Sequence, residues 1–135
     1  MPLVWRSFKI KRVVTSTYEA ETLGHSDAME EALLIKDQLM KMTGIPSDLI
    51  TVEMFTDCND LVSAVYSSKA NVSPTSRAQI HVAKIREALE HKEVKEVKWL
   101  PTDMMLADGL TKKSDKRFKN LELLIQTFKT GQFAV

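Results

Sequence analysis

The chain has 135 residues, 44% of them hydrophobic, with 4 Gly and 4 Pro; this is the size of a single domain that buries about two thirds of its surface, not a collagen-like or low-complexity chain. A single cysteine, Cys58, and 3 His exclude a disulfide scaffold and a Cys-rich zinc module. The net charge of +1 names no charged partner, yet residues 1–16 carry four bases and no acid, residues 17–60 balance at −8 and residues 61–135 at +5.

Residues 3–14 alternate apolar and basic side chains (Val4, Trp5, Phe8, Ile10, Val13) and predict an extended segment, one strand or a strand entering a turn. Ser16 followed by Glu19 is a capping box, and the helical pattern from Thr17 runs to about Thr43, where Gly44 and Pro46 stop it. Ile50 to Phe55 predicts a buried strand ending at Asp57, with Ile50, Val52 and Met54 on one face. A short helix follows from about Asp60 to Ser67, then a polar loop, then a helix from about Arg77 to Glu90. Val94 to Leu100 predicts another strand; Thr102 or Asp103 caps a short helix through Leu110, and an amphipathic helix runs from about Asp115 to Phe128. The order of strands and helices implies an α/β layer fold with parallel crossovers and no internal repeats, read as one domain over residues 1–135. No apolar run approaches the roughly 18–20 residues that span a bilayer, and no signal-like stretch opens the chain. A soluble, intracellular protein with no membrane partner is expected.

Three carboxylates stand out. On a helical wheel Glu21 shares a stripe about 60° wide with Ala28, Ala32, Ile35, Leu39 and Met42, facing the core side, whereas Glu19, Glu30 and Asp37 lie opposite on a solvated face. Glu21 then needs cations or donors around it, or simply meets the open backbone N–H groups of the first helical turn. Asp57 closes an apolar strand, where open α/β sheets bind ligands, or else caps the helix near Asp60. Asp108 lies among Met104, Met105, Leu106 and Ala107, as a ligand or as a satisfied, partly buried side chain. If the three converge, their mutual repulsion calls for a divalent cation with a taste for oxygen, Mg²⁺ or Mn²⁺, and a pair of such ions performs phosphoryl chemistry.

These residues have a familiar order. Trp5-Arg6-Ser7 with Val13-Val14-Thr15-Ser16-Thr17-Tyr18-Glu19-Ala20-Glu21-Thr22 resembles the W-S…V-x-S-S-T-E-A-E-Y stretch of copia-type retrotransposon polyproteins, which belongs to their ribonuclease H domain. Phe55-Thr56-Asp57-Cys58-Asn59 is similar to that family's strand ending in D-N, and Ser76-Arg77-Ala78-Gln79-Ile80-His81 with Ile85-Arg86-Glu87 to its S-R-x-K-H-I…I-R-E helix. Leu100-Pro101-Thr102-Asp103 and Leu106-Ala107-Asp108-Gly109-Leu110-Thr111-Lys112 resemble its V-P-T…L-A-D-x-L-T-K close.

The resemblance implies a ribonuclease H-like α/β fold, a truncated mixed sheet with flanking helices, that cuts the RNA strand of an RNA–DNA hybrid. It implies a D-E-D-D carboxylate set with two Mg²⁺ (or Mn²⁺) ions, of which Glu21, Asp57 and Asp108 match three members. It also implies that Arg6, Lys9 and Lys11, with Lys112, Lys113, Lys116, Arg117 and Lys119, contact phosphates; each is equally a residue of a solvated face. The chain departs from the family in beginning at what resembles the third strand, with no acid before Glu19. The first aspartate and two strands are missing, so the sheet has open edges, and a homodimer or a strand-supplying partner is expected. Gln79 stands where a basic residue is usual, and Thr22 replaces a tyrosine. The alternative function is a non-catalytic remnant, a domesticated module that binds nucleic acid or protein. His25, one turn from Glu21, reads as a partly buried, satisfied histidine or as a hydrogen-bonding neighbour of that acid. Cys58 reads as a small buried side chain, and Met40, Met42, Met104 and Met105 as core filler.

Overall fold

The computed structural model describes residues 3, 4, 6, 9–11, 13–68, 76–111 and 118–133. They fall into two compact units, one of Arg12–Trp99 and one of Met1–Lys11 with Leu100–Val135. The class is mixed helix and strand, with a parallel sheet.

The larger unit begins with α1 (Thr17–Thr43). Ser16 is its N-cap, extended in backbone, and its hydroxyl accepts from the Glu19 N–H at 3.1 Å. The Glu19 carboxylate completes the entry turn on Thr15, accepting from its backbone N–H at 3.0 Å and its hydroxyl at 2.7 Å. Gly44 ends the helix at φ 69°, a left-handed conformation that glycine adopts without a Cβ clash, and its N–H donates to Met40 O. A 3₁₀ turn over Ser47–Leu49 leads to β1 (Glu53–Thr56), then α2 (Asn59–Tyr66), α3 (Ser76–Glu90) and β2 (Glu96–Trp99). β1 and β2 pair in parallel, Met54 opposite Val97 and Thr56 opposite Trp99, so α2 and α3 form the crossover that parallel strands require. The core of this unit joins Met29 of α1, Met54 and Val97 of the strands, Leu61, Ala64 and Val65 of α2, and Val82, Ile85 and Ala88 of α3.

Of the extended segment expected over residues 3–14, residues 5, 7, 8 and 12 lie outside the described ones, and the described ones carry no strand. One expectation about α1 fails. The face of α1 that packs inward is Glu19, Thr22, Leu23, Ser26 and Met29, so Glu21 is exposed and Glu19, placed on the solvated side by the wheel, is only 4% exposed. The reason lies in the length of the helix. Its apolar residues concentrate in the second half, where Leu34 and Met42 are exposed, Met42 to 82%. The first half docks through small hydroxyl residues, with Thr22 fully buried and its hydroxyl donating to Tyr18 O at 2.7 Å. A wheel averaged over the whole helix is weighted by the apolar second half, of which Leu33 packs against the core while Leu34 and Met42 stay exposed.

Burying Glu19 has a consequence for pH. The backbone N–H of Thr15 and then its hydroxyl hold the Glu19 carboxyl below the ordinary glutamate value, with Arg77 and His81 assisting and partial burial opposing. A depressed folded-state value contributes stability above the unfolded glutamate value and loses it as pH falls through the folded one. Urea titrations from pH 7 to pH 2 should show a steeper loss for the unsubstituted chain than for Glu19→Gln, which has no charge to lose.

The smaller unit holds a 3₁₀ turn over Thr102–Met104, α4 (Asp108–Thr111) and α5 (Phe118–Thr130). The continuous short helix expected from Thr102 through Leu110 is therefore two pieces separated by Met105 to Ala107. Asn120, 2% exposed on α5, binds the break: its amide donates to Thr102 O at 2.9 Å and Met105 O at 3.1 Å. Helices α4 and α5 approach so closely that a Cβ at Gly109 would lie 3.1 Å from Asn120 O and from Leu121 Cα. The start expected for the last helix, about Asp115, lies outside the described residues.

Candidate functional site

The carboxyl end of β1 is built from three directions. The strand delivers Asp57, half-buried, one residue before Cys58, the N-cap of α2. From β2, the Trp99 indole N–H donates to the Asp57 carbonyl at 3.2 Å. From α1, His25 spans the gap: Nδ1 lies 2.9 Å from Glu21 O and Nε2 lies 3.0 Å from Phe55 O. Both partners are carbonyl acceptors, so the neutral ring donates to one of them and the protonated ring to both. The turn of α1 that carries Glu21 is thereby tied to the strand two residues before Asp57.

The local field agrees with this placement. Burial pushes the Cys58 thiol up; the Leu61 backbone opposes, and the Glu21 and Asp60 carboxylates raise it further. Glu21 is thus close enough for its charge to be felt at the residue after Asp57. A thiol held protonated is a poor nucleophile. Cys58 should alkylate with iodoacetamide at pH 7.5 severalfold more slowly than a free cysteine in the urea-unfolded chain; an equal rate would contradict the assignment.

Glu21 and Asp57 therefore belong to one end of one unit. Asp108 belongs to the other, where it is half-buried as the first residue of α4 and its N–H donates to Met105 O at 3.2 Å. Of the basic residues, Arg6, Lys9, Lys11 and Lys119 are exposed, and Lys119 is paired with Asp103 at 3.0 Å. Lys112, Lys113, Lys116 and Arg117 lie outside the described residues. Lys95 and Lys98 are engaged with Glu53 at 2.7 Å and Glu96 at 2.9 Å.

The donor set at the end of β1 consists of two carboxylates, one exposed and one half-buried, beside a thiol. Mg²⁺ is commonly held by one or two carboxylates with water and phosphate oxygens completing its shell, so Glu21 and Asp57 are of the chemical type that would hold it, and the protonated thiol does not compete. Among the described residues, no group of three or more His, Cys, Asp or Glu is gathered closely enough to hold a metal ion. No described helix is long and apolar enough to cross a membrane.

Sequence reasoning missed Trp99, whose indole holds the Asp57 backbone from a neighbouring strand; an aromatic at a strand end carries no signal of that role. His25 carried one, its four-residue spacing from Glu21. Comparison with known proteins finds no matching family model, no matching curated protein and no matching solved structure.

Proposed function

We propose that this chain is a ribonuclease H-like, metal-dependent nuclease domain acting on RNA–DNA hybrids, of the copia retrotransposon type. The observation that carries the reading is the tie between the Glu21 turn of α1 and the carboxyl end of parallel strand β1, beside Asp57. The carboxyl ends of parallel strands are where α/β sheets bind ligands. Two acids brought there from elements far apart in sequence repel each other unless a cation or phosphate chemistry employs them. Glu21 and Asp57 are the metal ligands in this reading; the assignment of Asp108 to the set rests on the resemblance alone.

Mg²⁺ or Mn²⁺ at this site supplies an activated water and neutralises charge on the departing oxygen. The chain's own part at this site is to present the exposed Glu21 carboxylate to solvent and to hold Asp57 by its backbone; the resemblance assigns phosphate contacts to Arg6, Lys9, Lys11 and Lys119. A two-ion centre needs a further carboxylate, which the resemblance assigns to a preceding strand, supplied by an adjoining segment, a second copy or a partner. Cleavage by this chain alone is accordingly slow.

Incubating the chain with a labelled RNA–DNA hybrid and Mg²⁺ or Mn²⁺, beside Glu21→Gln, tests the reading. Cleavage of the RNA strand abolished by the substitution is expected; equal traces in both proteins overturn it in favour of the non-catalytic binding module.

A further inference from the structure

We propose that His25 is a positioning residue for the Glu21 and Asp57 pair, its imidazole clamping one turn of α1 to the carboxyl end of β1. The inference rests on the reading of those two side chains as metal ligands, and adds to it the element that sets their separation.

The geometry is specific. The ring folds back along its own helix, placing Nδ1 at 2.9 Å from the carbonyl of Glu21 itself, four residues earlier. The opposite nitrogen reaches 3.0 Å from the carbonyl of Phe55, 30 residues away in sequence. A flat aromatic ring has a fixed distance between its two nitrogens, so with Nε2–H donating to Phe55 O and Nδ1 seated at Glu21 O the ring spaces the two backbones more tightly than a flexible side chain does. One backbone belongs to Glu21, and the other lies two residues from Asp57. Asp57 is anchored in turn by the Trp99 indole at 3.2 Å. His25 and Trp99 therefore hold the strand end from two neighbours, one helix and one strand.

The core anchors the inner side of this turn, with Tyr18 packed against the cluster and Thr22 and Leu23 buried; His25 adds the hydrogen bond from the helix to the end of β1. Met29 packs against the same cluster as Met54, but it lies one helical turn beyond His25, and Glu21 itself is exposed. Without the imidazole, the Glu21 turn loses its hydrogen bond to β1 and keeps only its packing through Thr22, Leu23 and Ser26. Groups that orient a metal's ligands typically govern affinity by about 10- to 100-fold when removed.

The test is an electron paramagnetic resonance titration of the full chain with Mn²⁺, joined to amide hydrogen exchange at Phe55 to Cys58. His25→Leu keeps the bulk and removes the ring's hydrogen bonding. His25→Asn keeps an amide too short to reach Phe55. His25→Gln places an NH₂ with two hydrogens near both carbonyls. We expect Mn²⁺ affinity to fall about 10-fold or more in the Leu and Asn variants, with faster exchange at the strand end, and to recover largely in His25→Gln. The unfolding midpoint should move little, because His25 lies outside the core cluster. Unchanged Mn²⁺ affinity in a folded Leu or Asn variant overturns the role of His25 and leaves the metal site standing. Absence of saturable Mn²⁺ binding in the unsubstituted chain overturns both. Should His25→Leu fail to fold, the Asn and Gln pair decides the matter alone.

Discussion

Leu61→Ala should destabilise the larger unit by about 2–5 kcal/mol, the usual cost of emptying a leucine-sized space in a close-packed core. Leu61 is completely buried on α2, in the same cluster as Ile85, Val94 and Met54. These residues come from α2, α3, β1 and the segment before β2, so no one element can collapse into the space. In a unit of this size the thermal midpoint should drop by about 10 °C or more. Met42→Ala is the matched comparison: it removes a similar volume from a side chain 82% exposed and should change stability by less than about 0.5 kcal/mol. Differential scanning calorimetry separates the two. Equal effects would mean that Met42 is packed and that the cluster around Leu61 is not the core.

Asp57→Asn should lower hybrid cleavage by about 10³-fold or more, with an unfolding midpoint close to that of the unsubstituted chain. The substitution keeps the shape of the side chain and the backbone carbonyl that Trp99 holds, and removes only the charge that a cation requires. Carboxylates that coordinate together act as a unit, so Asp57→Asn combined with Glu21→Gln should cost little more than either alone. Additive losses in the double variant would show that the two acids act independently. Initial rates on a labelled hybrid at saturating Mn²⁺ provide the measurement.

Much of the fold is legible in the residues. The capping box at Ser16 and the stop at Gly44 fixed the ends of α1 because caps are local chemistry. The parallel pairing of β1 with β2 followed from the strand, helix, strand order, which requires a crossover. What the sequence hid was decided by contacts between distant segments. The inward face of α1 is lined by Thr22 and Ser26, whose burial depends on the hydroxyl finding a carbonyl or a neighbouring element and not on hydrophobicity. Glu19 is buried because Thr15 gives it two donors, and a wheel cannot see a partner four residues upstream. The candidate site divides along the same line. Asp57 was legible as a strand end, and Glu21 was singled out by a wheel that misjudged its face. The tie from its turn of α1 to β1 runs through His25, whose reach to Phe55 crosses 30 residues. The basic residues expected at phosphates were legible only as charge, and charge alone does not distinguish a phosphate contact from an ion pair such as Lys119 with Asp103.

The central claim is that Glu21 and Asp57 hold one divalent cation at the end of β1. Paramagnetic broadening of amide resonances during a Mn²⁺ titration locates such an ion without recourse to catalysis. Signals of Glu21, Asp57 and Cys58 should broaden first, at substoichiometric Mn²⁺, and Glu21→Gln should erase that selectivity. Broadening that begins instead around Glu30, Asp37 or other exposed acids, leaving the end of β1 sharp, would contradict the claim.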